Sequence, residues 1–175
     1  MDLQIFEARY LDMVSRCFKQ SRNFAVVSLE SGSESAPGDM RFNALGCEAQ
    51  IIDWQQRDNG LLGIRVQGRR RLRVTSAEVA ADGLVSGLVD WQPEQSDQPL
   101  EAEHDDLLTL HQALMQHPMS AGLGLPEIAD SQQRLGYQLA FLLPFSLQQK
   151  ARLLAIDQPE QRLAQITDWL QEMQA

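Results

Sequence analysis

The chain changes character near residue 92, where short strand-like stretches give way to helical spacing, and this limits the fold to two dissimilar parts. Before that point short β-branched and alternating stretches dominate: Phe24 to Leu29, Leu45 to Trp54, Leu61 to Val66, Arg70 to Val79 and Leu84 to Trp91. Their spacing predicts five strands. Asp58-Asn59-Gly60 and Asp82-Gly83 are turn sequences that supply the positive backbone angles of tight hairpins. Ahead of the strands, Phe6, Tyr10, Met13, Val14, Cys17 and Phe18 recur at three- and four-residue steps and predict an amphipathic helix over residues 6–20. Ser31 to Asp39, rich in Ser, Gly and Pro, reads as a mobile loop.

After residue 92 the spacing is helical. Leu107, Leu108, Leu110, His111, Leu114 and Met115 share one helix face, behind an acidic first turn that suits the positive helix end. Pro126-Glu127 is expected to start a second helix that Pro144 ends near Leu143. Ser146 caps a short helix to Ile156, and Asp157 to Glu160 opens a last one through Leu163, Ile166 and Trp169. Gln92 to Pro99 is polar, holds two prolines and has no apolar period, so it reads as a linker. The expected organisation is α+β: an antiparallel β subdomain with one helix over 1–92, a linker over 93–100 and a helical subdomain over 101–175.

Composition excludes several classes. At 175 residues with 43% apolar and 22% charged side chains the chain is globular, and folding can bury roughly 70% of its surface without a staple. Cys17 and Cys47 stand 30 positions apart with no C-x-x-C pair, which favours free thiols in a reducing compartment. The run from Leu139 to Phe145 is far below the roughly 20 residues that cross a bilayer, and the first residues lack a secretory pattern, so a cytoplasmic location without membrane contact is expected. Residues 1–92 carry 11 basic and 12 acidic groups, against 4 and 12 beyond them, so the second part holds nearly all of the −9 net charge.

Catalytic patterns are weak. There is no Gly-Lys pair and so no phosphate-cradling loop, and Gly122-Leu123-Gly124-Leu125-Pro126 is a flexible lead-in rather than a dinucleotide motif. His104 and His111 are seven residues apart, about 10.5 Å along a helix, too far to share an ion; they are expected on a solvated face, and no metal or other cofactor is expected. Ser146 and Lys150 share a helix face, as a Ser-Lys nucleophile pair requires, but Ser146 suits a cap better. Strand alternation places Arg69, Arg71 and Arg73 on one face, with Arg70, Leu72 and Val74 on the other, which makes a short cationic stripe able to meet an anion or RNA. The negative total argues against nucleic acid as partner.

Ile5-Phe6-Glu7-Ala8-Arg9-Tyr10 resembles the I-F-E-x-R-Y signature of the Lon protease N-terminal, substrate-binding domain. Leu45 to Ile51, containing Gly46, resembles the family's V-G-T-x-A-x-I, and Val66 to Val74, containing Gly68, its G-x-x-R-F-x-V strand. Leu72 stands where phenylalanine is usual. Leu135 to Ile156 and Asp157 to Leu170, with Arg162-Leu163, resemble its closing helices. Two departures are noted: the chain opens almost at the helix, so the family's first strand is expected to be missing, and the ATPase and Ser-Lys protease domains do not follow, as in a standalone bacterial form.

The resemblance implies a PUA-like barrel packed on a helical subdomain, with Ile5, Phe6, Glu7, Arg9, Tyr10, Gly46 and Gly68 in structural roles: Phe6 and Tyr10 pack one face, and Glu7 and Arg9 hold local polar contacts. It further implies a non-catalytic module that binds unfolded or damaged polypeptide through an apolar groove or an unpaired strand edge, with a separate protease as a possible partner. Trp54 and Trp91, at strand ends, are candidate rims of that site, against an alternative place in the core. The runner-up is an RNA-binding PUA-like module using Arg69, Arg71 and Arg73, and a Ser146/Lys150 peptidase comes third.

Overall fold

The computed structural model describes residues 1–31, 41–120 and 122–174, which form two compact units, Met1–Pro93 and Glu94–Ala175. The class is α+β, as expected, with one antiparallel five-stranded sheet and five α-helices. The loop expected from Ser31 to Asp39 lies, beyond Ser31, outside the described residues.

In the first unit the strands are β1 (Asp2–Ile5), β2 (Phe24–Ser31), β3 (Arg41–Gln56), β4 (Leu62–Val79) and β5 (Val85–Trp91). A short strand does stand ahead of the helix. Asp2 to Ile5 pairs antiparallel with Arg65 to Leu62, and Asp2 is ion-paired to Arg65 at 2.8 Å. Four residues are too few for alternation to announce a strand; the ladder against β4 makes it one. The two strands expected at Leu61 to Val66 and Arg70 to Val79 are a single strand, β4, because the glycine and arginines between them continue the ladder through a bulge instead of breaking it. One edge of β4 carries β3, and the other carries β1 and then β5. Among the described residues no ladder joins β2 to β1 or β5, so the sheet stays open along that seam.

Helix α1 (Ala8–Gln20) lays Val14 and Cys17 inward and ends at Ser21, whose left-handed backbone (φ 51) lets the Arg22 N–H donate to the Cys17 carbonyl. Ile5, Val14, Ala49, Ile64 and Val66 form the buried core beneath it. The helix starts two residues later than expected, and Phe6 does not pack: it is 69% exposed. With Ile5 facing the core, alternation at the end of β1 sends the next side chain outward.

The second unit contains α2 (Asp105–Gln116), α3 (Gln132–Leu142), α4 (Leu147–Ala155) and α5 (Pro159–Gln174) around Leu135, Leu139, Leu153, Leu163, Ile166 and Trp169. Helix α3 begins six residues after the expected Pro126, because Ser131 supplies the cap, its Oγ accepting from the Arg134 N–H, while the Pro126 carbonyl accepts from Gln138. The polar stretch read as a linker is bonded to this unit. Asp97 accepts from Ser131 and Gln133, and the Gln132 side chain donates to the Pro99 carbonyl. Arg162, fully buried, donates to the carbonyls of Leu153 and Ile156 at the end of α4 and stacks on Tyr137 at 4.0 Å. A fixed cation there suits the carbonyl-rich end of the helix.

Candidate functional site: an apolar cleft at the open seam of the sheet

Where β2 fails to meet β1 and β5, the first unit opens into a cleft of about 340 Å³. Its walls are apolar: Leu3 from β1, Val26 and Leu29 from β2, Val74 from β4, Val85 and Val89 from β5. Tyr10 and Met13 of α1 also line it, and among the described residues Tyr10 is its only ionisable side chain. Residues 24–27 of β2 line the cleft consecutively, as do residues 84–87 at the start of β5. Successive strand side chains point to opposite faces, so a consecutive run means that each strand presents its edge, backbone included. Arg9 fixes the mouth on one side. Its Nη2 is ion-paired to Glu7 at 2.7 Å, and its Nη1 donates to the Gly83 carbonyl at 2.8 Å, which ties the β4–β5 turn to the first helix.

Trp54 and Trp91 lie outside these walls. Their alternative place in the core is not taken up: they are 60% and 46% exposed. They sit opposite Ile64 and Leu72 of β4, eight residues apart and so roughly 25 Å along the strand, and do not share a rim. Trp54 meets Phe18 edge to face, with ring centroids 6.3 Å apart. The register between Ile51 and Asp53 slips by one residue, and the slip puts Trp54 in phase with buried Ile64, on the side where α1 packs. Trp91 lies under the Arg70 guanidinium at 3.6 Å.

The cationic stripe is corrected as well. Ala49 pairs with Gly68, and Cys47 with Arg71, so β4 holds one extra residue between these pairs and the alternation is lost there. Arg71 is buried and donates to the Pro93 carbonyl at 3.1 Å, whereas Arg69, Arg70 and Arg73 are exposed. Arg69 donates to Gln50, and Arg70 is ion-paired to Glu48 at 2.8 Å. The Arg70 guanidinium, hydrogen-bonded to Glu48, holds that carboxyl below the ordinary glutamate range.

The remaining candidates act in the framework. His104 and His111 are buried, which corrects the solvated-face expectation: His104 Nδ1 accepts from the Glu101 N–H, and His111 Nε2 lies 2.8 Å from Gln138 Oε1. Ser146 forms a reciprocal cap with Gln149, and Lys150, its pKa pulled down by burial, donates to the Phe141 carbonyl at 3.1 Å. The serine and the lysine thus each serve a helix end. Gly46 has a packing reason: a Cβ there would meet the Val26 carbonyl oxygen at 2.5 Å, and at Gly68 it would meet Cys47 Sγ at 3.1 Å. Among the described residues no three His, Cys, Asp or Glu side chains gather to hold a metal, and no helix is long and apolar enough to cross a membrane.

The cleft itself escaped the sequence reading. Its strands alternate too little to single out a lining face, and a wall built from strand edges leaves no side-chain period to find.

Three comparisons bear on this architecture. No curated protein matches the chain. Among solved structures, the Lon N-terminal domain protein from Xanthomonas campestris is 33% identical and superposes with a TM-score of 0.78, covering 97% of this chain and 88% of that one. The N-terminal domain of the Mycobacterium avium complex Lon protease shares the fold at 15% identity and a TM-score of 0.64, with the same coverage. The family model of the ATP-dependent protease La (LON) substrate-binding domain matches residues 1–172, and with the first of these structures it establishes that the chain belongs to the Lon substrate-binding domain family.

Proposed function

We propose that this chain is a non-catalytic module that binds unfolded or damaged polypeptide segments, and that the apolar cleft at the seam of the sheet receives them. The observation that carries this reading is a cleft bounded by two strand edges and lined by aliphatic side chains. Burying two large apolar side chains there would contribute about 3–6 kcal/mol, comparable to the cost of association. Binding is therefore expected to be weak per site and tolerant of sequence, as suits a receptor for exposed core segments. Trp54 with Phe18, and Trp91 under Arg70, supply accessory aromatic contacts on the surface. A module that holds such a segment without cutting it implies a separate protease as the consumer.

The test is a titration of the chain into a labelled unfolded polypeptide and a labelled single-stranded RNA, followed by anisotropy at low and moderate salt. The polypeptide is expected to bind with little dependence on salt. Binding of RNA alone, weakening steeply as salt rises, would replace this reading by phosphate contact through exposed arginines such as Arg69 and Arg73.

A further inference from the structure

We infer that the outer edge of β5 is a strand-addition site, and that its ligand is an uncharged, apolar extended segment of another polypeptide lying antiparallel to residues 85–89. The inference rests on the reading of the cleft as the polypeptide site and specifies how the ligand is held there.

Three features support it. Among the described residues β5 is paired with β4 alone, and the lining by residues 84–87 turns its other edge toward the cleft. That edge lacks the charges and prolines that discourage pairing: Val85 to Val89 contains neither, and Val85 and Leu88 are 37% and 71% exposed. β2 faces it with Val26 and Leu29 on the wall, and the successive antiparallel ladders make it run opposite to β5. A ligand antiparallel to β5 therefore runs parallel to β2, the less stable pairing, so it pairs with β5 and rests its inward side chains on the aliphatic wall of β2.

The chemistry of the ligand follows from the lining. Among the described residues Tyr10 is the cleft's only ionisable side chain, and the Met1 ammonium that also lines it is engaged by the Val66 carbonyl at 2.9 Å, so a charged side chain entering it would lose water and find no opposite side-chain charge. Side chains of a bound strand enter at every second position, so the site selects apolar residues at alternate positions and tolerates polar ones between them. Arg9, donating to the Gly83 carbonyl, holds the start of β5 in place, so the edge is preformed.

The test uses a labelled, end-blocked octapeptide alternating valine and threonine, and two analogues N-methylated at alternate residues. Methylation leaves the side chains in place and removes the N–H groups that face one side. Because one edge is paired, one analogue is expected to lose affinity at least about tenfold, as two or more main-chain bonds are lost, while the other stays within about threefold. Ser86→Arg, an exposed change on the edge, is expected to abolish binding of the parent peptide. Equal affinity for all three peptides, with Ser86→Arg still disruptive, would overturn strand pairing and leave the apolar cleft intact. Equal loss with both analogues would overturn pairing to a single edge. Failure of both the octapeptide and a full unfolded polypeptide to bind would remove the cleft reading itself. A dimer of the chain in light scattering that Ser86→Arg dissociates would show the edge to be occupied by a second copy and overturn the inference.

Discussion

Arg71 and Arg70 are neighbours with opposite fates, and a single extra residue in β4 separates them. Arg71 turns inward and donates to Pro93, while Arg70 stays outside between Glu48 and Trp91. Alternation read from sequence cannot detect a bulge, because the extra residue is visible only against its partner strand. The Glu48–Arg70 pair gives a pH prediction with a definite sign. Glu48 is more acidic in the folded chain than its ordinary 4.5, so the pair's contribution is complete above that value and is lost as pH falls through the depressed one. Arg70→Gln should lower the urea midpoint at about pH 7, and the gap should narrow as pH falls below 4.5 through the depressed value; a gap unchanged by pH would disconnect the loss from this carboxylate. Gly46 is legible in sequence as a family glycine, but its reason is the Val26 carbonyl 2.5 Å from where a Cβ would stand. Gly46→Ala is expected to destabilise the chain by about 1–3 kcal/mol in urea unfolding.

At the scale of elements, boundaries followed caps more than breakers. Pro126 suggested a helix start that Ser131 in fact makes, since a serine hydroxyl satisfies a free N–H whereas proline only tolerates the position. At Ser146 both cues coincide and the start of α4 was readable. Ser146→Ala should cost about 1 kcal/mol of stability in thermal or urea unfolding and leave polypeptide binding unchanged; loss of binding at full stability would give the serine a functional role. Strand β1 and the unbroken length of β4 were not readable, because both are fixed by ladders between residues more than fifty positions apart or by continuity across a bulge. The histidines of the second unit show a related effect. A helix wheel places His111 beside leucines, and the buried Gln138 opposite its ring, which makes burial tolerable, sits on another helix.

Across the whole chain, the change of period near residue 92 was a sound guide to α+β architecture, and three residues of the family resemblance make structural contacts: Arg9 ties a turn, Gly46 allows close strands and Arg162 bonds the end of α4. The proposed site lies at the seam where, among the described residues, β2 and β5 leave their edges unmet. The most direct test compares the parent chain with Val85→Asp for binding to a labelled unfolded polypeptide at moderate salt, with near-ultraviolet circular dichroism to verify folding. Val85 lines the cleft yet is 37% exposed, so a carboxylate there should leave the fold intact. The account predicts that it weakens binding at least about tenfold, through a charge set against an apolar ligand. Unchanged affinity of a folded Val85→Asp chain would contradict the cleft as the binding site.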